Sequence, residues 1–299
     1  MKEALKAYID LTRAHFFIVW PLLFCSGLVL AFENYGGFSW SLLLKAALIA
    51  LAGFEAGFVL NDYVDRNLDK KGLQAQDSFN KYWRLFGRRP LAEGLIAPKK
   101  ALWLFFGFAG IAALLIFTLP APNSYYVFCI MLYSYGIEAF YQIKKRNQNF
   151  PLAQLAGRTD LSLFPGAGYL CYGQPDSSIL LYVLFFYPWT QAHLAINDLI
   201  DIQNDKARGM KTIPLLYGIK GCVYWIAGFT LLHFLAAGFF LKELGSLAFY
   251  GFSLAFLLLT GANLYLLKAK SSEAGLKVLP IFHATLLIYT LSILLDFFY

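Results

Sequence analysis

The chain has 299 residues, 59% of them hydrophobic and 14% charged, with a formal net charge of +7. An average soluble domain carries about 25% charged residues, so this composition excludes an ordinary soluble globular protein, and it equally excludes a disordered chain or a disulfide scaffold. Twenty-nine Phe, 19 Tyr and 6 Trp supply apolar surface and interfacial anchors, and the surplus of basic residues has to be tested as membrane topology before nucleic acid is invoked as a partner.

Divided at Pro, Gly and charge clusters, the apolar runs predict nine spans, at about 14–32, 41–60, 99–119, 124–142, 150–172, 178–198, 221–241, 246–267 and 276–298. Each approaches the roughly 20 residues that a helix needs to cross the hydrocarbon core. The first run follows Lys2, Lys6 and Arg13 as a signal peptide would, but it is long and lacks a clear small-residue cleavage site, so it reads as a span. The fold class is therefore all-α and polytopic. The four cysteines, Cys25, Cys129, Cys171 and Cys222, lie in or beside apolar runs and read as small buried or lipid-facing thiols without a metal role.

Of the 25 Lys and Arg, 22 lie before the first span or in and beside alternate loops; Lys242 stands alone on the other side, and Lys45 and Arg158 lie within spans. The positive-inside rule then predicts an integral membrane protein with a cytoplasmic N-terminus. Topology accounts for the basic charge, and no nucleic acid is needed. One cytoplasmic stretch, about 66–98, is far longer than its neighbours, and loops beyond about 15 residues are commonly functional or disordered. It contains Phe79, Tyr82, Trp83 and Phe86 at i, i+3, i+4 and i+7, a pattern that predicts a short amphipathic helix at the cytoplasmic interface.

The second and sixth spans end in the same pattern, NDxxDxxxD: Asn61, Asp62, Asp65 and Asp69, then Asn197, Asp198, Asp201 and Asp205, 136 residues later. Residues four apart share a helix face, so Asn61, Asp65 and Asp69 form one stripe and Asn197, Asp201 and Asp205 another, with Asp198 beside it. Stacked carboxylates near lipid repel one another and are costly unless neutralised. Amide and carboxylate oxygens select a hard cation such as Mg²⁺, which takes few protein carboxylates and completes its shell with water and phosphate oxygens. Either cluster alone reads better as a solvated helix end; the duplication on one side of the membrane favours a diphosphate bridged by metal. Nearby basic residues, Lys70, Lys71, Arg88, Arg89, Lys144, Lys145, Arg146, Lys206, Arg208 and Lys211, include candidates to clamp phosphate, although most are explained by topology. Glu55, Glu138, Arg158 and Asp160 are ionisable groups within spans, where pairing or a cavity role is expected. For His193, one turn before Asn197, a helix-packing hydrogen bond is expected.

With these motifs the chain resembles the UbiA superfamily of intramembrane prenyltransferases. Asn61, Asp65 and Asp69 match the first acidic motif and Asp201 and Asp205 the core of the second; Asn197 stands where many relatives have Asp. Arg89-Pro90-Leu91, Tyr141 with Lys144 and Lys145, and Lys211-Thr212 resemble further segments of that family. The resemblance implies nine helices around a central cavity, as two four-helix pseudo-repeats plus one helix, forming a single domain over 1–299 with cytoplasmic cap loops at about 66–98 and 201–220. It implies Mg²⁺ held by the two acidic motifs, a diphosphate bound by Arg89, Tyr141, Lys144 and Lys211, and catalytic roles for Asp65, Asp69, Asp201, Asp205 and Lys145. The expected reaction is transfer of an isoprenyl group from a prenyl diphosphate to a small hydrophobic or aromatic acceptor of the quinone-precursor type, within membrane lipid. Prenyl transfer to a glyceryl phosphate is the alternative acceptor chemistry, and a cation-coupled transporter is the alternative class. Transporter sites usually lie near the bilayer midplane at broken helices, whereas these clusters fall at cytoplasmic helix ends.

Overall fold

In a computed structural model of the chain, which describes residues 2–72 and 77–299, the described residues are helical without strands. Residues 73–76 of the expected cap lie outside the described residues. In chain order the helices are α1 (Lys2–Leu11), α2 (Val19–Tyr35), α3 (Trp40–Asp69), α4 (Asp77–Trp83), α5 (Pro98–Ile116), α6 (Asn123–Lys144), α7 (Leu152–Gly157), α8 (Thr159–Tyr169), α9 (Ser177–Ile200), α10 (Ile202–Arg208), α11 (Ile213–Phe240), α12 (Ser246–Ala269) and α13 (Ser272–Asp296).

Among the described residues, seven helical segments are long and apolar enough to cross a membrane. The expected spans at 124–142 and 150–172 are the two that fall short. The first forms α6, whose buried residues include Asn123, Ser124, Glu138 and Gln142 and lower its hydropathy. The second breaks between Gly157 and Thr159 into α7 and α8, bringing Arg158 to the junction. Apolar length alone therefore supports seven crossings, two fewer than expected.

The outer face of the bundle is apolar, unlike that of a soluble protein, and ionisable groups lie buried within a largely apolar core. Leu44, Trp103, Leu114 and Leu257 are exposed, while Glu55, Asp62, Asp65, Glu138 and Asp198 are buried. Such an arrangement is stable when lipid bathes the outer face and the ionisable groups find one another within. Close packing of α2 on α8 depends on missing side chains: a Cβ on Gly27 would lie 1.8 Å from the Pro165 carbonyl oxygen, and one on Gly168 1.8 Å from that of Phe24. Small residues at membrane helix contacts allow this approach of backbones.

Two features position the functional elements. First, α3 continues nine residues beyond its expected end at 60, so the whole first acidic motif is helical. Second, α9 ends at Ile200 and α10 begins at Ile202, but the Asp201 amide still donates to the Asn197 carbonyl at 2.9 Å and the Asp205 amide to that of Asp201 at 2.9 Å. The i to i+4 spacing of the second stripe thus survives the break. Gly218, at φ 72° and ψ 171°, kinks α11 below the same region, a conformation open to glycine at little cost.

Candidate functional site

The two stripes face a single cavity of about 340 Å³. From α3 it receives Asn61, Asp62, Asp65 and Asp69; from α9, α10 and the residue between them, His193, Asn197, Asp198, Asp201 and Asp205; from the end of α6, Glu138, Tyr141, Gln142 and Lys145; and from the α7–α8 junction, Arg158 and Asp160. The cap contributes Phe79, Trp83, Arg84 and Arg89. Deeper in the bundle the wall is aromatic and aliphatic, with Phe24, Phe54, Phe58, Phe164 and Met131.

A ladder of basic residues holds the carboxylates. Lys145 Nζ lies 2.9 Å from Asp65 Oδ2, and Arg146 Nη2 3.0 Å from Asp65 Oδ1. Arg89 Nη1 meets Asp69 Oδ1 at 2.8 Å while its Nε donates to Asn80 Oδ1 at 2.9 Å. Arg208 spans the stripes, 3.4 Å from Asp69 and 3.5 Å from Asp201. Burial works against the charge on Lys145, but Asp65 and then Asp205 outweigh it and hold the ammonium above its ordinary range. For Arg89 burial prevails over Asp69, and its guanidinium is held below its ordinary value.

Among the described residues, Asp205 is the stripe carboxylate that forms no ion pair. Its Oδ2 accepts from Thr212 Oγ1 at 2.9 Å, and burial, followed by the charges of Asp201 and Asp198, pushes its carboxyl well above the usual carboxylate range. Lys145 and Arg208 oppose that rise without cancelling it. Among the described residues no three carboxylate, His or Cys side chains already surround an ion-sized point. Carboxylate oxygens of Asp65, Asp69, Asp201 and Asp205 line the one cavity, and oxygen donors are the type Mg²⁺ takes, together with waters and phosphate oxygens.

Several expected site residues take other positions. Lys144 and Lys211 do not line the cavity. Lys144 is a residue out of phase with the Tyr141–Lys145 face of α6, and the Lys211 side chain is exposed while its backbone amide donates to the Lys145 carbonyl at 2.7 Å. Asn61 and Asn197 are engaged as well: Asn61 Nδ2 donates to Glu138 Oε1 at 2.6 Å, and Asn197 Oδ1 accepts from Trp83 Nε1 at 3.2 Å. Arg158 pairs across helices with Glu138 at 3.5 Å. His193 does form a packing hydrogen bond, Nε2 to His283 Nε2 at 2.8 Å, and His283 continues to the Tyr82 hydroxyl.

The cap helix α4 differs from the expected interfacial stripe. It ends at Trp83, and Phe79 and Trp83 turn into the cavity while Phe86, 39% exposed, lies beyond the helix. Asp10 of α1 accepts from the Phe86 and Arg88 amides at 2.8 and 2.9 Å, tying the N-terminal helix to the cap. Arg13 and Arg84 are charged cavity residues that sequence reasoning did not assign to a site; both pair with Asp62. A basic residue flanking the first span and one between the cap aromatics were the available signals.

The model of the UbiA prenyltransferase family matches residues 18–286. The chain is 25% identical over 222 residues, 72% of this chain and 69% of the relative, to 4-hydroxybenzoate octaprenyltransferase of Acinetobacter baylyi. It is also 25% identical over 236 residues, 78% of this chain and 76% of the relative, to digeranylgeranylglyceryl phosphate synthase of Thermococcus kodakarensis. Its fold matches that of a UbiA homologue from Archaeoglobus fulgidus solved with DMAPP and Mg²⁺, at a TM-score of 0.73 and 14% identity, covering 97% of this chain and 98% of the other. Paired acidic motifs on one cavity, an apolar exterior and a family match over nearly the whole length converge: this integral membrane protein belongs to the UbiA prenyltransferase family and is a prenyltransferase.

Proposed function

We propose that the protein transfers an isoprenyl group from a prenyl diphosphate to an aromatic acceptor of the quinone-precursor type, in a Mg²⁺-dependent reaction within the membrane that releases diphosphate. The observation that carries this reading is the convergence of two buried acidic stripes and their basic ladder on one cavity with an aromatic lower wall. Asp65, Asp69, Asp201 and Asp205 would hold Mg²⁺, with Asn61, Asn197 and Asp198 beside them. When bound, the ion supplies Lewis-acid stabilisation of the diphosphate leaving group. Lys145, Arg89 and Arg208 line the same pocket and are placed to bind diphosphate oxygens, with Tyr141 beneath the Lys145 ammonium at 4.8 Å. Phe24, Phe54, Phe58 and Phe164 receive the prenyl chain, exclude water and present ring faces to positive charge developing on the allylic carbon. The whole chain works as one unit, capped by 66–98 and 201–220, and the charge asymmetry of the loops supports a site that faces the cytoplasm.

Purified protein with labelled prenyl diphosphates, Mg²⁺ and a panel of aromatic and glyceryl phosphate acceptors tests the reading. A prenylated aromatic product formed with stoichiometric diphosphate, and lost on chelation, is the expected result. Product with a glyceryl phosphate alone would replace the acceptor class, and no diphosphate release from any donor would refute the reaction.

A further inference from the structure

Glu138 is an acid within the bundle to which the proposed reaction gives no part. It is 6% exposed, lies on α6 and collects donors from three directions. Its Oε1 accepts from Asn61 Nδ2 at 2.6 Å and from Gln142 Nε2, one turn further along the helix, while its Oε2 faces Arg158 Nη2 at 3.5 Å. Gln142 is 1% exposed, and its Oε1 accepts in turn from Lys145 Nζ, three residues on. Lys145 closes the chain on Asp65 at 2.9 Å.

A carboxylate only accepts, so each amide that meets it must present its NH2 group. That fixes which way round two side-chain amides stand in the cavity wall. Asn61 has its Nδ2 committed to Glu138, which leaves Oδ1, the atom able to bind a cation, for the cavity that the residue lines. Gln142 has its Nε2 committed likewise, which turns Oε1 to the ammonium. Lys145 Nζ carries three donors; among the described residues Asp65 and Gln142 take two, and the third is left for a phosphate oxygen. The Tyr141 ring lies near both cations, 4.8 Å from Lys145 Nζ and 5.2 Å from the Arg158 guanidinium.

We infer that Glu138 is a positioning residue of the transfer reaction: it sets the direction of the Asn61 and Gln142 amides, and through Gln142 it holds the Lys145 ammonium where a diphosphate binds. The inference rests on the prenyl-transfer reading and adds to it two residues, Glu138 and Gln142, that act through Asn61 and Lys145. Were Glu138 only the counter-charge of Arg158, the direction of the two amides would have no consequence for binding.

Two double-variant cycles test this on chelator-washed protein purified in detergent. In the first, calorimetry measures binding of geranyl S-thiolodiphosphate, a slowly reacting donor analogue, in the presence of Mg²⁺. Gln142→Met keeps the volume and removes both hydrogen bonds, and it should weaken binding about tenfold, the scale of a hydrogen bond to a charged group. In a Lys145→Met background the same change should have no further effect, because Gln142 acts through that lysine. In turnover the loss should appear as a rise in donor KM larger than the fall in kcat. In the second cycle, electron paramagnetic resonance measures free Mn²⁺, added in place of Mg²⁺ with no donor present. Glu138→Gln should weaken Mn²⁺ binding about fivefold, the scale of a neutral hydrogen bond, and should have no effect in an Asn61→Ala background, where a simple charge effect would persist. Undiminished losses in either background, or unchanged binding by Gln142→Met, overturn the inference. Where a background variant does not fold, analogue binding by Glu138→Gln decides: loss of a negative charge by itself favours an anion, so tighter binding overturns the inference and weaker binding supports it. Diphosphate release from geranyl diphosphate by the parent separates the two readings. A parent that neither binds the analogue nor releases diphosphate refutes prenyl transfer; release together with undiminished losses refutes the positioning role alone.

Discussion

Removing Asp65 and removing Asp201 should both abolish turnover while affecting the fold unequally. Asp65 and Lys145 are 8% and 11% exposed at their side chains and meet at 2.9 Å, whereas Arg146, the second partner of Asp65, is 36% exposed and counts for little because solvent screens it. Asp65→Ala leaves the Lys145 ammonium buried with Gln142 as its remaining acceptor. Breaking a buried pair from one side costs about 3 kcal/mol or more, which corresponds to a fall in Tm on the order of 6 °C for a chain of this size. Asp201→Ala leaves Arg208 with Asp69 at 3.4 Å and removes one acceptor from Asn204, a loss of about 1–2 kcal/mol. Adding Lys145→Met to Asp65→Ala removes the orphaned charge and should return stability to within about 1 kcal/mol of the parent, with turnover still absent. Thermal unfolding in detergent, with chelator, reads stability; diphosphate release reads activity. Equal melting of Asp65→Ala and parent, or recovery of turnover in the double variant, would refute the reasoning.

The cap separates by position: Trp83→Ser, which opens the cavity and removes the bond to Asn197, should shift product from the prenyl adduct toward free prenyl alcohol, whereas Phe86→Ser should not, as product analysis would show. In metal-free protein the raised Asp205 carboxyl stabilises the fold while it is protonated, and that contribution disappears as pH rises through its elevated value. Asp205→Asn should therefore flatten the decline of Tm with rising pH in chelator, and because Mg²⁺ must displace this proton, Mg²⁺ affinity of the parent should rise with pH. Cysteines introduced as Lys99→Cys and Ser246→Cys in a cysteine-free background should react with impermeant reagent from opposite sides of sealed vesicles, and labelling from the same side would overturn the loop-charge assignment.

The acidic motifs were legible because their chemistry is local: four polar residues at helical spacing, twice, at the ends of apolar runs. Their phase was legible too, since α3 remains helical through Asp69. Choosing between Lys144 and Lys145 required the phase of α6, which Glu138, Tyr141 and Gln142 set and only Lys145 continues. The Asp62 cluster was hidden for another reason. Its arginines lie 49 residues before and 22 residues after it, one in the turn after α1 and the other in the cap, and no periodicity links them. The break in the fifth span is likewise not a composition signal, because Gly157 and Arg158 resemble any small and charged pair until Tyr141 packs against the glycine, where a Cβ would lie 2.8 Å from the ring.

Stability and function make opposite demands on these charges, and the ladder satisfies both. A carboxylate stripe inside a bundle bathed by lipid requires a counter-charge at all times, and Lys145, Arg89 and Arg208 provide it. On the proposed reading the same cations would serve a diphosphate once Mg²⁺ held the carboxylates, so each charge that stabilises the fold would have a second partner in the reaction. Asp62 lies off the ladder: it pairs with Arg13 and Arg84, and the Arg13 guanidinium lies over the Phe58 ring at 4.1 Å. Breaking either pair would leave a buried charge without its partner, which is costly, so this cluster fastens the turn after α1 and the cap to α3.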